Sequence, residues 1–161
     1  MAQKMSSALA LSIFGSFLVA LVLTLIPLPD WARTFRPEWV PLVLIYWSMA
    51  LPEDVGVGIA WILGLVVDAT LNSLLGTHAL GFALTAFITI QMHHRVRVFP
   101  LAQQAFVVPL ILLPYMSLTL WIRGVTGHPP STWTYWAPLL SSALLWPWVF
   151  IMLRALRRLS T

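Results

Sequence analysis

The chain has 161 residues, 60% of them hydrophobic and 9% charged, with nine Lys and Arg against five Asp and Glu. Soluble domains carry about 25% charged residues, so this chain lacks the charge to cover a water-facing surface, and its apolar richness excludes a disordered chain. It contains no cysteine, which removes disulfide scaffolds, cysteine-ligated zinc and thiol catalysis from consideration.

What remains is an all-α polytopic membrane protein forming a single domain over residues 1–161. A spanning helix needs roughly 20 mostly apolar residues. Residues 5–29, 39–52, 55–67, 69–94, 98–122 and 124–153 carry no ionised group. The first helix is expected near 8–26. Lys4 ahead of it resembles the start of a secretory signal, but the apolar run exceeds the usual core of about 7–15 residues. Pro27-Leu28-Pro29-Asp30 follows where a small-x-small cleavage site would stand, so the helix reads as uncleaved. A short second helix is expected near 38–51, closed by Pro52-Glu53-Asp54, with Asp54 placed to cap the next helix. The third is expected near 55–72, where Gly56, Ala60 and Gly64 form one small-residue face that permits close helix approach. Asn72-Ser73 and Gly76 break the chain before a fourth helix near 77–93. The fifth, near 103–123, contains Pro109 and Pro114. A polar connection over 124–135 leads to the sixth, near 136–153, which carries Trp146-Pro147-Trp148. Six spans are expected, with five as the alternative. No stretch alternates polar and apolar residues in the manner of a membrane β-barrel strand.

Lys and Arg near span ends set orientation. Lys4, Arg95, Arg97, Arg154, Arg157 and Arg158 form one set, and Arg33, Arg36 and Arg123 the other. The larger set predicts both termini in the cytoplasm, which requires an even number of spans. The pI of about 10.4 follows from arginines facing an anionic leaflet, and no basic stripe with stacking aromatics suggests nucleic acid. Trp31, Trp39, Trp133 and Trp136 fall near the expected outer ends of helices, where indole rings favour the interface. Pro147 bends its helix, leaving its flanking tryptophans either to pack internally or to face a partner.

Asp68 is the residue most in need of explanation, with no charge for 13 residues before it and 26 after it. A carboxylate at that depth normally faces protein or a water-filled cavity. It serves either a relay, ligand or partner contact, or a hydrogen bond tying two helices of the same chain. His93-His94 point about 100° apart on a helix and do not make a metal site on their own. His78 and His128 read as isolated residues. No P-loop, GxSxG elbow, HExxH or paired carboxylates within a span are present, so no catalytic residue, cofactor or metal is expected.

The order of several short segments resembles the rod-shape-determining protein MreD family of bacteria. They are Phe35-Arg36-Pro37-Glu38-Trp39-Val40, Tyr46-Trp47, Ala50-Leu51-Pro52, Gly56-Val57-Gly58, Gly64 with Asp68, Leu75-Gly76, Gln103-Gln104-Ala105 and Leu145-Trp146-Pro147-Trp148, followed by a basic tail. One departure is Asn72, where similar proteins often have glycine. The resemblance implies a non-enzymatic scaffold of the cell-elongation machinery in the cytoplasmic membrane, supporting rod shape and side-wall peptidoglycan synthesis. It implies binding to the membrane helix of MreC, within a wider complex with MreB, RodA and a class B penicillin-binding transpeptidase. It also implies a fold similar to the substrate-binding subunits of energy-coupling-factor transporters. Arg36, Pro37, Asp68, Gly76, Trp146 and Pro147 are the candidate partner-binding or structural residues. Two rivals remain: a small-molecule-binding subunit of a transporter, which needs a polar-lined pocket open to the outside, and an intramembrane enzyme.

Overall fold

The computed structural model describes residues 7–27, 29, 32, 35–71, 75–127 and 133–160. Among the described residues there are six α-helices and no strand: α1 (Ser7–Leu25), α2 (Trp39–Ala50), α3 (Val57–Thr70), α4 (Thr77–Arg97), α5 (Leu101–Val125) and α6 (Ala137–Ser160). A 3-10 turn, Trp133–Trp136, leads into α6. Three helices are long and apolar enough to cross a membrane: Ser7–Leu25, Leu101–Val125 and Ala137–Leu159. α2 and α3 are apolar but shorter.

α2 is the axis of the bundle. Every residue from Val40 to Met49 is buried, because α1, α4, α5 and α6 all pack on it. Pro41 is tolerated there because it lies in the first turn, where its missing N–H has no intrahelical partner. Two fully buried tryptophans fill the core, Trp47 and Trp146. Each indole N–H finds an acceptor, as a buried Trp requires: Trp47 Nε1 donates to Ser16 Oγ at 2.8 Å and Trp146 Nε1 to Gln104 Oε1 at 3.1 Å. The Trp146-Pro147-Trp148 alternatives thus divide between neighbours, since Trp146 packs internally while Trp148 is 69% exposed.

α3 and α4 form the tightest helix pair. Gly64 of α3 lies directly against the backbone of His78 and Ala79 of α4. Ala60 and Gly64 are buried in this contact region of the helix, so the small-residue face serves packing within the chain. The turn between the two helices ends at Gly76, whose φ of 105° is left-handed and favours glycine.

Helix ends depart from the expected ones in informative ways. α4 runs on to Arg97 and α6 to Ser160, because a helix stops where its hydrogen bonds stop, and charged side chains can extend into the interface while the backbone stays helical. α4 is followed by Pro100, which cannot continue it. Asp54 does not cap α3: its backbone lies in the turn after α2, with Asp54 N and Val55 N both donating to Leu51 O. The N-cap is Gly56, in extended backbone with no side-chain capping bond. Asp54 is thus two residues too early to reach the first helical N–H groups.

Candidate functional site

Three charged side chains close three helix ends. Asp68, in the last turn of α3, is fully buried. Its Oδ2 accepts from Gly76 N at 2.8 Å and from Ala79 N at 3.4 Å. Its Oδ1 accepts from His78 N at 2.9 Å and lies 2.7 Å from His78 Nδ1. The carboxylate therefore caps α4 from across the turn, satisfying backbone N–H groups at the positive end of that helix. Of the two roles open to Asp68, this is the tie between helices of one chain. The structure corrects the reading of His78 as isolated, since its ring is held by Asp68. The two residues are ten apart, a spacing that crosses a turn and follows no single-helix period.

Arg36 closes α1. Its guanidinium donates to Thr24 O at 2.7 Å and Ile26 O at 2.6 Å, carbonyls at the negative end of that helix. Its Nε is buried and has no hydrogen-bond partner among the described residues. At the other end of the bundle, Arg97 closes α2 by donating to Met49 O at 2.9 Å and Ala50 O at 3.1 Å. Beside it, buried Gln104 donates from Nε2 to Val96 O at 3.0 Å and Phe99 O at 3.2 Å, and so holds the α4–α5 turn and the Trp146 indole together.

Between the Arg36 end of α1 and the N-terminal ends of α2, α4 and α6 lies a cavity of about 850 Å³. Arg36, Glu38, His78, Tyr115, Arg123 and Tyr135 give it a polar wall, with Val40, Val67 and Phe82 among its apolar lining. Glu38 is fixed at both ends: its backbone N–H donates to Ser142 Oγ at 3.1 Å, and its Oε2 accepts from the Tyr115 hydroxyl at 3.5 Å. Tyr135 donates to Met116 O at 2.7 Å, and the Arg123 guanidinium lies 5.8 Å from the centre of its ring. Burial, reinforced by the Glu38 charge, pushes the Tyr135 hydroxyl up to about 12, so it remains a donor at neutral pH.

Of the candidate residues read from sequence, Arg36 and Pro37 line this cavity, and Asp68 and Gly76 stand behind His78 on its wall. Trp146 and Pro147 lie away from it, with Trp146 joined to Gln104. Glu38, Tyr115, Arg123 and Tyr135 were not among those candidates, although Glu38 stands in one of the resemblance segments and Arg123 in the orientation set. Their signal was weak: one acid beside Arg36-Pro37, and aromatic or basic residues at expected helix ends that suit the interface equally well. Trp31, Arg33, Asn72, His128, Lys4 and the Trp133 side chain fall outside the described residues. The remaining arginines divide as expected, Arg36 and Arg123 at the cavity end and Arg95, Arg97, Arg154, Arg157 and Arg158 at the other. The His93 and His94 ring centres are 3.8 Å apart, closer than helical spacing alone suggests, because His93 turns back to the Ile90 carbonyl at 2.6 Å. Among the described residues no three His, Cys, Asp or Glu side chains gather as a metal site would require.

Residues 5–156 match the model of the family described as rod shape-determining protein MreD. The chain belongs to the MreD family. The Rod shape-determining protein MreD of Haemophilus influenzae is 34% identical over 150 residues, covering 91% of each chain. No solved structure matches the chain, and the expected likeness to energy-coupling-factor subunits gains no support from that comparison. Membership of the MreD family, with its long apolar helices, makes this a membrane protein with a role in rod-shape determination.

Proposed function

We propose that this MreD-family chain is a non-enzymatic scaffold of the cell-elongation complex in the bacterial cytoplasmic membrane. In this reading it holds the membrane helix of MreC and supports side-wall peptidoglycan synthesis beside MreB, RodA and a class B penicillin-binding transpeptidase, with both termini in the cytoplasm. The family supplies the role in cell shape. The observation that carries the scaffold reading is how the charged groups are used: Arg36, Asp68 and Arg97 each bind backbone at a helix end. Groups engaged in this way fix a rigid shape for a partner to read.

The docking face we assign to MreC is the open side of α1. Among the described residues that helix packs mainly on α2 and α6. Its other side presents Leu11, Phe14, Leu18 and Val22, all at least half exposed. Gly15 lies between them, and a Cβ placed on it would meet no atom within 4 Å, so a notch remains into which a partner helix can settle closely. Gly15→Ile fills that notch without touching the bundle. The expected result is MreC copurification reduced about tenfold, equivalent to about 1.4 kcal/mol, with the variant at normal abundance and cells rounded. Undiminished copurification and normal rods would remove α1 as the docking face.

One observation favours a second reading, a small-molecule-binding subunit of transporter type: the 850 Å³ cavity lies within the roughly 300–1,000 Å³ of ligand sites. Its cationic and hydroxyl-bearing wall suits a ligand with acceptor oxygens. Tyr115→Phe removes one donor from this wall while keeping the ring. Mass spectrometry of the gently purified protein should then show a bound small molecule in the parent and less of it in the variant. Absence of any such molecule, together with normal transport in the variant strain, would sink this second reading.

A further inference from the structure

The charged groups on the cavity wall are used differently from those that close helix ends elsewhere. Asp68 and Arg97 are taken up by backbone partners. The Arg123 guanidinium has no hydrogen bond or ion pair among the described residues and rests against the Tyr135 ring, 5.8 Å from its centre. Arg36 donates to two carbonyls, which carry no full charge, and it too has no ion pair among the described residues. Glu38 Oε2 holds only the long bond from the Tyr115 hydroxyl, at 3.5 Å, and its Oε1 accepts from no group among the described residues. All three charges line the one cavity. Tyr135 stands beside two of them, since Glu38 and Arg123 are the charges that act on its hydroxyl.

The signs of these groups specify what fits. Two guanidinium groups from separate segments call for acid oxygens, and a phosphate offers enough of them for each to take its own. Glu38 calls for a donor. A cation there is favoured further by the rings of the wall, where Phe82 and Tyr115 lie 5.6 Å apart between centres and His78 lies 6.3 Å from Tyr115. A plain anion would face the Glu38 carboxylate, and a plain cation would face both arginines. We propose that the cavity binds an aminoalkyl phosphate, with its phosphate held by Arg36 and Arg123 and its ammonium group by Glu38. This assignment rests on reading the cavity as a ligand site and adds the class of ligand. The same chemistry occurs in the headgroup of an aminophospholipid and in a soluble aminoalkyl phosphate.

Calorimetric titration of the intact protein in dodecyl maltoside tests this. The probes are phosphoethanolamine and monoethyl phosphate, which differ only in the ammonium group. Phosphoethanolamine should bind about tenfold more tightly, the weight of one hydrogen bond between charged groups. Glu38→Gln should abolish that preference while both probes still bind, because Gln keeps an acceptor oxygen for the Tyr115 hydroxyl and loses the charge. Arg123→Gln should weaken both probes alike, by about tenfold. Arg95→Gln, an exposed position at the opposite end of the bundle, should change neither. Phosphatidylethanolamine added to the micelles identifies the source: competition with phosphoethanolamine marks a lipid headgroup and its absence a soluble ligand, and the ligand chemistry stands in both cases. Equal binding of the two probes, or a preference that survives in Glu38→Gln, overturns the proposal and leaves the cavity a ligand site. Absence of binding by either probe and by phosphatidylethanolamine overturns the proposal together with the reading of the cavity on which it rests.

Discussion

Asp68→Ala should leave little folded protein in the membrane. The substitution strips acceptors from the N–H groups of Gly76, His78 and Ala79 and from the His78 ring. Each buried donor left unpaired costs about 1–3 kcal/mol, and the α4 N-terminus also loses the anion that faces its dipole. The total is about 3 kcal/mol or more, a large fraction of the roughly 5–15 kcal/mol that holds a domain folded. Unfolding in mixed micelles and abundance in membranes should both register the loss. Asp68→Asn should fall between the two, because its single carbonyl oxygen can accept but its amide group faces donors. The distinguishing outcome is the order of events. If Asp68→Ala were as stable and abundant as the parent yet failed to bind MreC, the carboxylate would be a partner contact and the intrachain cap would be incidental.

The second large effect is expected at Gly64. A Cβ built there overlaps the Ala79 Cα and N and the His78 carbonyl carbon. Those are backbone atoms, so no side chain can swing aside, and α3 and α4 must separate. Overpacking of this kind costs about 1–3 kcal/mol, occasionally more. Gly64→Ala should therefore lower the unfolding midpoint clearly, and Gly64→Val should lower it further. The shift also pulls Asp68 away from its donors, one turn further along the same helix, so Gly64→Ala and Asp68→Ala should be less than additive. Gly58→Ala is the matched control: that glycine is exposed with nothing near it, and its substitution should be neutral or mildly stabilising. Equal stability of Gly64→Ala and Gly58→Ala would mean that α3 and α4 are not in close contact.

Helix number and order were legible because charge gaps and Pro or Gly breaks act locally, and both are visible in a string of residues. The isolation of Asp68 was legible for the same reason. Its role was not, because the donors that explain it come from the next helix and become neighbours only when Gly76 takes a left-handed turn. His78 illustrates the point: alone in the sequence, it is bound to Asp68 in the fold. The cavity was harder still. Thr24, Glu38, His78, Tyr115 and Tyr135 come from separate segments, and no periodicity links them. Trp146 and Trp148 are adjacent-but-one and compositionally alike, yet only the rotation of α6 decides that one is buried and the other faces outward.

The shortness of α2 has an electrical consequence. Its 12 residues rise about 18 Å at 1.5 Å per residue, against a hydrocarbon thickness of about 30 Å. The cavity with Arg36, Glu38, His78 and Arg123 on its wall begins at one end of this helix, and a cavity of that size with such groups on its wall has room for water. Water at that depth carries the potential of its own side inward. With water in the cavity, a voltage across the membrane would fall mainly along α2, over a little more than half the usual distance, and the field there would be steeper in proportion. A charge moving between Glu38 and Arg97, at the two ends of this helix, would cross most of that voltage, worth about 2.3 kcal/mol per elementary charge at 100 mV.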